Sequence, residues 1–256
     1  LTTSRNIKLL PYHQRLKKLG ACFGQMAGHE RPMWFSKIKT PTYKYSYGKQ
    51  NWYSSAKKES LSTRKNLGLF ELSPFAKFDI SGKFAHNQLQ YLCANNVKNS
   101  AGRTTYTQML NPSGGIEADI TISCIKKNYF RIICPALARV HNKSHILRNV
   151  TKEIKFKDVT DDYTSLGIFG PNSRKFLTNL IGNYFLKEDF PFATGKYIIF
   201  LSTKIWFQRL SFVGELGWEL YIPINDAKKI FDKIENLGKK YNLCYSGMHT
   251  LDMLRL

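Results

Sequence analysis

The order of apolar and polar positions predicts a chain in which strands and helices mix. From Ile116 to Cys124 the two kinds alternate, the period of a half-buried strand. Ile116, Ala118, Ile120 and Ile122 then share one face, and Glu117, Asp119, Thr121 and Ser123 the other. Residues 105–110 have strand composition, and Asn111-Pro112-Ser113-Gly114-Gly115 between the two runs is turn chemistry. Together they predict a hairpin. Helices are expected over residues 11–19, stopped by Gly20, and over 55–66, 83–93, 136–150, 174–181 and 226–241, with a last one starting at Gly247. In the 226–241 segment Ala227, Ile230, Phe231, Ile234 and Leu237 form the inward stripe. Residues 69–81 read as a strand pair carrying Phe70, Leu72, Phe75, Phe78 and Ile80. Further strands are expected at 129–134, 154–159, 166–169 and 219–222, and a second hairpin at 197–202 and 205–213. Hairpins without regular βαβ alternation predict an α+β fold, with mixed, largely antiparallel sheets and packed helices.

A chain of 256 residues can bury a sizeable core, and no run of eighteen apolar residues suggests a membrane span. Five widely spaced cysteines with no CxxC pair point to reduced thiols, hence a reducing compartment, and the localisation expected is cytoplasmic. The net charge is +21, and residues 1–66 hold 14 Lys/Arg against Glu30 and Glu59, which is +12 of that total. Such a field attracts anions, nucleic acid included; the plainer reading is a compositional bias carried on a solvated face. Residues 36–55 interleave Tyr43, Tyr45, Tyr47, Trp52 and Tyr53 with Lys37, Lys39, Lys44 and Lys49. No RNA-binding signature accompanies them, so a packed arm is expected rather than a stacking platform for single strands. His141 and His145 have the i, i+4 spacing of metal ligands, but Lys143 stands between them and no third ligand follows, so no metal site is expected.

Asp119 falls mid-strand, where aspartate is disfavoured, and pattern alone reads it as a solvated carboxylate. The segment around it, Asn111-Pro112-Ser113-Gly114-Gly115-Ile116-Glu117-Ala118-Asp119, resembles the Asn-x-x-Gly-Gly-Ile-x-x-Asp of the folate-binding aminomethyltransferase family, which includes the glycine cleavage T-protein. Val213-Gly214-Glu215-Leu216-Gly217-Trp218-Glu219 is similar to that family's Gly-Glu-x-Gly-[Phe/Trp]-Glu. Gly20-Ala21-Cys22-Phe23-Gly24, Glu30-Arg31-Pro32-Met33-Trp34-Phe35 and Leu72-Ser73-Pro74-Phe75-Ala76-Lys77-Phe78 resemble the folate half of dimethylglycine and sarcosine dehydrogenases. The likeness runs nearly end to end.

The resemblance implies a tetrahydrofolate-binding domain that accepts a one-carbon unit from an oxidised methylated glycine. Asp119 would be catalytic; Glu215 would hold the pterin and Tyr106 would stack or hydrogen-bond beside it. It also implies that residues 1–66 are a basic arm or linker following a flavin domain that carries FAD. Residues 67–256 would be the folate domain, cut short before a C-terminal β-barrel. Partners implied are folate, an amine or iminium donor and the flavin domain. A T-protein-like aminomethyltransferase and a non-catalytic regulatory module of the same architecture are the alternatives. The Gly-Glu-x-Gly turn reads two ways by itself: as a tight turn, or as glycines clearing room for a ligand. Three positions depart from the family pattern. Phe212 stands where the T-protein usually has tyrosine, Leu251 where it has a folate-contacting arginine, and His29 where the dehydrogenase branch has tryptophan.

Overall fold

Two hydrophobic cores organise the chain. The computed structural model describes residues 4–38, 41–186 and 188–256; Leu1, Thr2 and Thr3 and the Lys39 of the lysine–tyrosine run lie outside the described residues. One unit comprises Leu1–Leu72, Thr164–Pro191 and Tyr197–Leu256, the other Ser73–Tyr163 and Phe192–Lys196. The first unit opens with α1 (His13–Lys18), the antiparallel pair β1 (Ala21–Met26) and β2 (His29–Phe35), α2 (Tyr53–Lys65) and β3 (Gly68–Glu71). The second holds β4 (Ala76–Ser81), α3 (Ala85–Leu92), β5 (Thr104–Leu110), β6 (Ile116–Lys126), β7 (Tyr129–Cys134), α4 (Arg139–Asn149) and β8 (Lys155–Asp158). The chain continues through β9 (Tyr163–Phe169), α5 (Ser173–Ile181), β10 (Gly195–Phe200), β11 (Thr203–Gln208), β12 (Gly217–Pro223), α6 (Ala227–Gly238), β13 (Cys244–Ser246) and α7 (Met248–Arg255).

A six-stranded sheet runs β10-β11-β12-β9-β3-β13 and a five-stranded sheet runs β5-β6-β7-β4-β8. Neither closes into a barrel; β11–β12, β3–β9, β4–β7, β4–β8, β5–β6 and β6–β7 are antiparallel pairs, and β13 lies parallel to β3. This is the expected α+β architecture. The first core gathers Leu16, Leu69, Ile168, Phe176, Phe207, Trp218, Leu220, Ile230 and Phe231; the second gathers Phe78, Leu89, Met109, Ile120, Ile122, Phe130 and Ile132. Each such side chain contributes about 1.5–3 kcal/mol on burial. On α6 the stripe is as expected, with Ala227, Ile230, Phe231 and Ile234 buried and Leu237 partly so.

Several elements differ from the sequence expectation. Strands β3 and β4 do not pair with each other: β3 lies between β9 and β13, β4 between β7 and β8. Strand β11 ends at Gln208 rather than at Val213. The pair β1–β2 and the short β13 were not expected; Gly24, Gly28 and Pro32 break the alternation in the former, and three residues are too few to show a period in the latter. Residues 1–66 also do more than form an arm. Leu10, Tyr12, Leu16 and Ala21 belong to the first core, and the units do not divide at 66/67. Residues 41–52 have no regular structure but pack through aromatic contacts: Trp52 stacks on His249 at 3.8 Å between centroids, and Tyr43 meets Trp34 edge-on at 4.4 Å.

Two buried carboxylates tie elements together. Asp79 and Arg131 face each other across β4 and β7. Arg131 Nε donates to Oδ1 at 2.7 Å and Nη2 to Oδ2 at 2.8 Å, and the Tyr129 hydroxyl donates to Oδ2 at 2.6 Å. Glu59 of α2 is 4 % exposed. Its Oε1 accepts the Phe35 N–H at 2.7 Å, and its Oε2 accepts the Gly247 N–H at 2.9 Å and the Thr250 hydroxyl. Glu59 therefore serves α7 as an N-terminal cap supplied by another element. Burial, opposed by those three bonds, raises its pKa above the ordinary 4.5.

Arg131→Met leaves Asp79 buried without its cation, and urea unfolding is expected to show a loss of about 3–5 kcal/mol. A carboxyl whose folded pKa is raised binds its proton more tightly in the folded state. Its contribution is full below the unfolded value and is lost as pH rises through the folded one. Over the window above 4.5, the parent should therefore lose stability with rising pH relative to Glu59→Gln; parallel curves for the two proteins would refute this.

Candidate functional site

The hairpin β5–β6 puts Gln108 opposite Asp119 and Tyr106 opposite Thr121. Side chains alternate along each strand, so Tyr106, Gln108 and Asp119 share the face turned from the core, while Thr107, Met109, Ala118 and Ile120 are buried on the other. Tyr106 is 59 % exposed and Asp119 is also exposed. As diagonal neighbours the two are within roughly 7–8 Å. Gln108 Nε2 donates to Asp119 Oδ1 at 3.1 Å, which orients the carboxylate. The structure thus brings the predicted Tyr106 and Asp119 together and adds Gln108, which the sequence reading had not singled out. Asn95 steadies the neighbouring backbone, its Nδ2 donating to the Tyr106 carbonyl at 3.0 Å.

The turn is built by Asn111 more than by Pro112. Asn111 Oδ1 accepts the N–H of Ser113 at 3.0 Å and of Gly115 at 2.9 Å, and Gly114 takes φ +81°. Beyond it the ladder pairs Leu110 with Ile116 and Met109 with Ala118, leaving Glu117 as an extra residue in a β-bulge. The bulge resets the alternation, and Ile116 emerges on the open face at 70 % exposure instead of on the expected apolar one. Glu117 turns to α4: it accepts Asn111 Nδ2 at 2.9 Å and meets His141 Nε2 at 3.2 Å. The bond from Asn111, with smaller help from the nearby histidines, holds its carboxyl below the usual range. His141 is exposed on α4, whereas His145 is half-buried.

Glu215 belongs to the first unit, in the loop from β11 to β12, and is not part of the hairpin face. Ser211 Oγ accepts the N–H groups of Val213 and Glu215, both at 3.3 Å, and Gly214 between them takes φ +72°, which glycine adopts without strain. The side chain of Glu215 is 19 % exposed, and its Oε1 accepts Arg64 Nη1 at 2.8 Å. Arg64 also donates to the carbonyls of Val213 at 2.9 Å and Leu254 at 2.8 Å. It comes from the last turn of α2, where an arginine in sequence looks like an ordinary solvated helix end; no local signal marks it. Gly217 has a packing role. A Cβ there would lie 2.4 Å from Phe169 Cδ1 and 2.6 Å from the Ile168 carbonyl oxygen, so the glycine admits β9 rather than clearing room for a ligand. Phe212 is half exposed beneath the Arg255 guanidinium, 5.1 Å from its ring centroid, and Leu251 is buried.

Residues 12–256 match the model of the GCVT N-terminal domain. The chain is 34 % identical over 257 residues to 4-methylaminobutanoate oxidase (formaldehyde-forming) of Paenarthrobacter nicotinovorans, covering 100 % of this chain and 31 % of that one. It is 31 % identical to the mitochondrial dimethylglycine dehydrogenase of Homo sapiens, covering 95 % of this chain and 28 % of that one. The chain spans about a third of the length of these curated relatives. Among solved structures, aminomethyltransferase T of the glycine cleavage system from Bartonella henselae has the same fold, with a TM-score of 0.79 at 21 % identity over 98 % of this chain and 62 % of that one. The chain belongs to the GCVT N-terminal domain family of aminomethyltransferases.

Proposed function

We propose that the chain is a tetrahydrofolate-binding domain that accepts a one-carbon unit from oxidised dimethylglycine or sarcosine, yielding 5,10-methylenetetrahydrofolate. The observation that carries this reading is Asp119: a mid-strand carboxylate on an exposed face, oriented through Oδ1 by Gln108 and flanked by Tyr106. Tetrahydrofolate, when bound, supplies the N5 and N10 nitrogens that bond to the carbon. Asp119 accepts a proton and stabilises positive charge, a contribution of about 10²–10⁴-fold in rate. Glu215 accepts hydrogen bonds from the amino and ring N–H edge of the pterin, as carboxylates do in bidentate pairs. Its fit to that task rests on Arg64, which holds one oxygen and so fixes the direction of the carboxylate. Tyr106 offers an exposed ring beside Asp119. A flavin domain carrying FAD, upstream in the same polypeptide, would oxidise the donor. The five cysteines, all free, accord with a cytoplasmic or otherwise reducing location.

Titration of tetrahydrofolate tests the assignment. Glu215→Ala is expected to weaken binding by about a hundredfold, the loss of a charged bidentate contact worth about 2–3 kcal/mol. Asp119→Asn should keep the affinity and lower turnover with the oxidised donor by about 10²–10⁴-fold. Salt-sensitive RNA binding without folate affinity would overturn the reading in favour of nucleic acid.

A further inference from the structure

We propose that the cleft beside the β1–β2 pair is a separate binding site for a small carboxylate carrying a flat ring, with Arg31 receiving the carboxylate and Tyr45 the ring. The cleft measures about 820 Å³, within the range of small-molecule sites, and Arg31, Lys17, His13, Phe23, Tyr43 and Tyr45 are among the residues lining it.

The decisive residue is Arg31. It is 9 % exposed, its Nε is buried without a hydrogen-bond partner, and it has no ion pair among the described residues. A guanidinium is taken out of water only where hydrogen bonds replace those it loses. Two other arginines show the usual remedy, an acid gripped through Nε and Nη2, although the Nη1 of buried Arg131 is itself without a partner. Arg131 grips Asp79 with two bonds, and Arg5 grips Glu30 with two, at 2.7 and 2.6 Å. Burial pulls the pKa of Arg31 down, and Glu71 and Asp252 oppose this only as charges at a distance. Opposite Arg31 in the ladder stands Gly24, whose bare face is covered by the Met33 side chain, another residue lining the cleft.

Charge and shape fix the class of ligand. Arg5 consumes the charge of Glu30, the one acid among the described residues lining the cleft, and Arg31 has Glu71 and Asp252 only as charges outside that lining, so Lys17 and Arg31 favour an anion there. The planar fork of Arg31 matches a carboxylate. His13 Nδ1, buried without a hydrogen-bond partner, is a second polar atom awaiting a contact there. Tyr45 is 82 % exposed and stacks one face on Tyr43, at 5.4 Å between centroids and 11° between planes. Tyr43 is itself fixed by a 2.9 Å hydrogen bond to His249 Nε2. The second face of Tyr45 is available to a flat ring.

Benzoate titrated into the chain, followed by calorimetry, is the test, with benzamide as the uncharged isostere and acetate as the ringless acid. Benzoate should bind saturably and both controls at least about tenfold more weakly. Arg31→Lys, which keeps the charge and loses the fork, should weaken benzoate about tenfold. Tyr45→Ala, a change at an exposed side chain, should weaken it several-fold with an unchanged circular dichroism spectrum. Glu215→Ala should leave benzoate affinity as it was, which separates this site from the folate assignment. Absence of saturable benzoate binding, equal affinity for benzamide, or indifference to Tyr45→Ala would each overturn the proposal.

Discussion

Helix α2 is pinned by a buried carboxylate, and the first unit is arranged around that pin. Glu59 bonds to β2 through Phe35 and to the start of α7 through Gly247 and Thr250. Five residues further along the same helix, Arg64 reaches the carbonyls of Val213 and Leu254 and the carboxylate of Glu215. The helix therefore carries two anchors, one enclosed and one at its end. The position of the β11–β12 loop follows from both: if α2 shifted or turned, Arg64 would lose the loop that carries Glu215. The cost of enclosing Glu59, visible in its raised pKa, is accepted where three donors converge on it.

The second unit reaches its candidate site by another route, through the pleat of a sheet. Alternation along β6 buries Ala118, Ile120 and Ile122, and the same alternation turns Asp119 outward. The bulge at Glu117 then breaks the alternation, so Ile116 and Leu110 join the face that carries Asp119, Gln108 and Tyr106. The apolar end of the face that carries Asp119, at Ile116, is thus a consequence of one extra residue in the ladder. Further into the sheet, the Asp79–Arg131 pair binds β4 to β7, beside the strand that pairs with β6.

What was legible in the sequence was local. Period-two alternation and the turn residues gave the hairpin, and the helical stripe gave α6. Pairing partners far along the chain were not legible: β3 sits between strands that begin at Tyr163 and Cys244, and nothing near residue 68 records this. Arg64 and Glu215 meet across 151 positions. The role of Gly217 depends on β9, and the bulge that turns Ile116 outward depends on the register with β5. The family motifs marked Asp119 and Glu215, yet not the residues that hold them in place. Charge is a further case. Every described lysine in residues 1–66 is exposed, which makes most of the excess a solvated face, whereas Arg5, Arg15 and Arg64 bind Glu30, Glu235 and Glu215.

The carboxylates themselves separate by how fully they are occupied. Glu59 accepts three hydrogen bonds, Asp79 three, and Glu30 three when the Asn6 N–H is included. Each of these is enclosed, and each would lose its bonds by turning to a ligand. Asp119 and Glu215 accept one side-chain bond apiece among the described residues, from Gln108 and from Arg64, on a single oxygen. One bond is enough to fix the direction of a carboxylate, and it leaves the second oxygen for a donor from elsewhere. A saturated acid serves the fold. An acid that is oriented but unsaturated keeps acceptor capacity to spare, which is the condition for holding a ring edge or taking a proton.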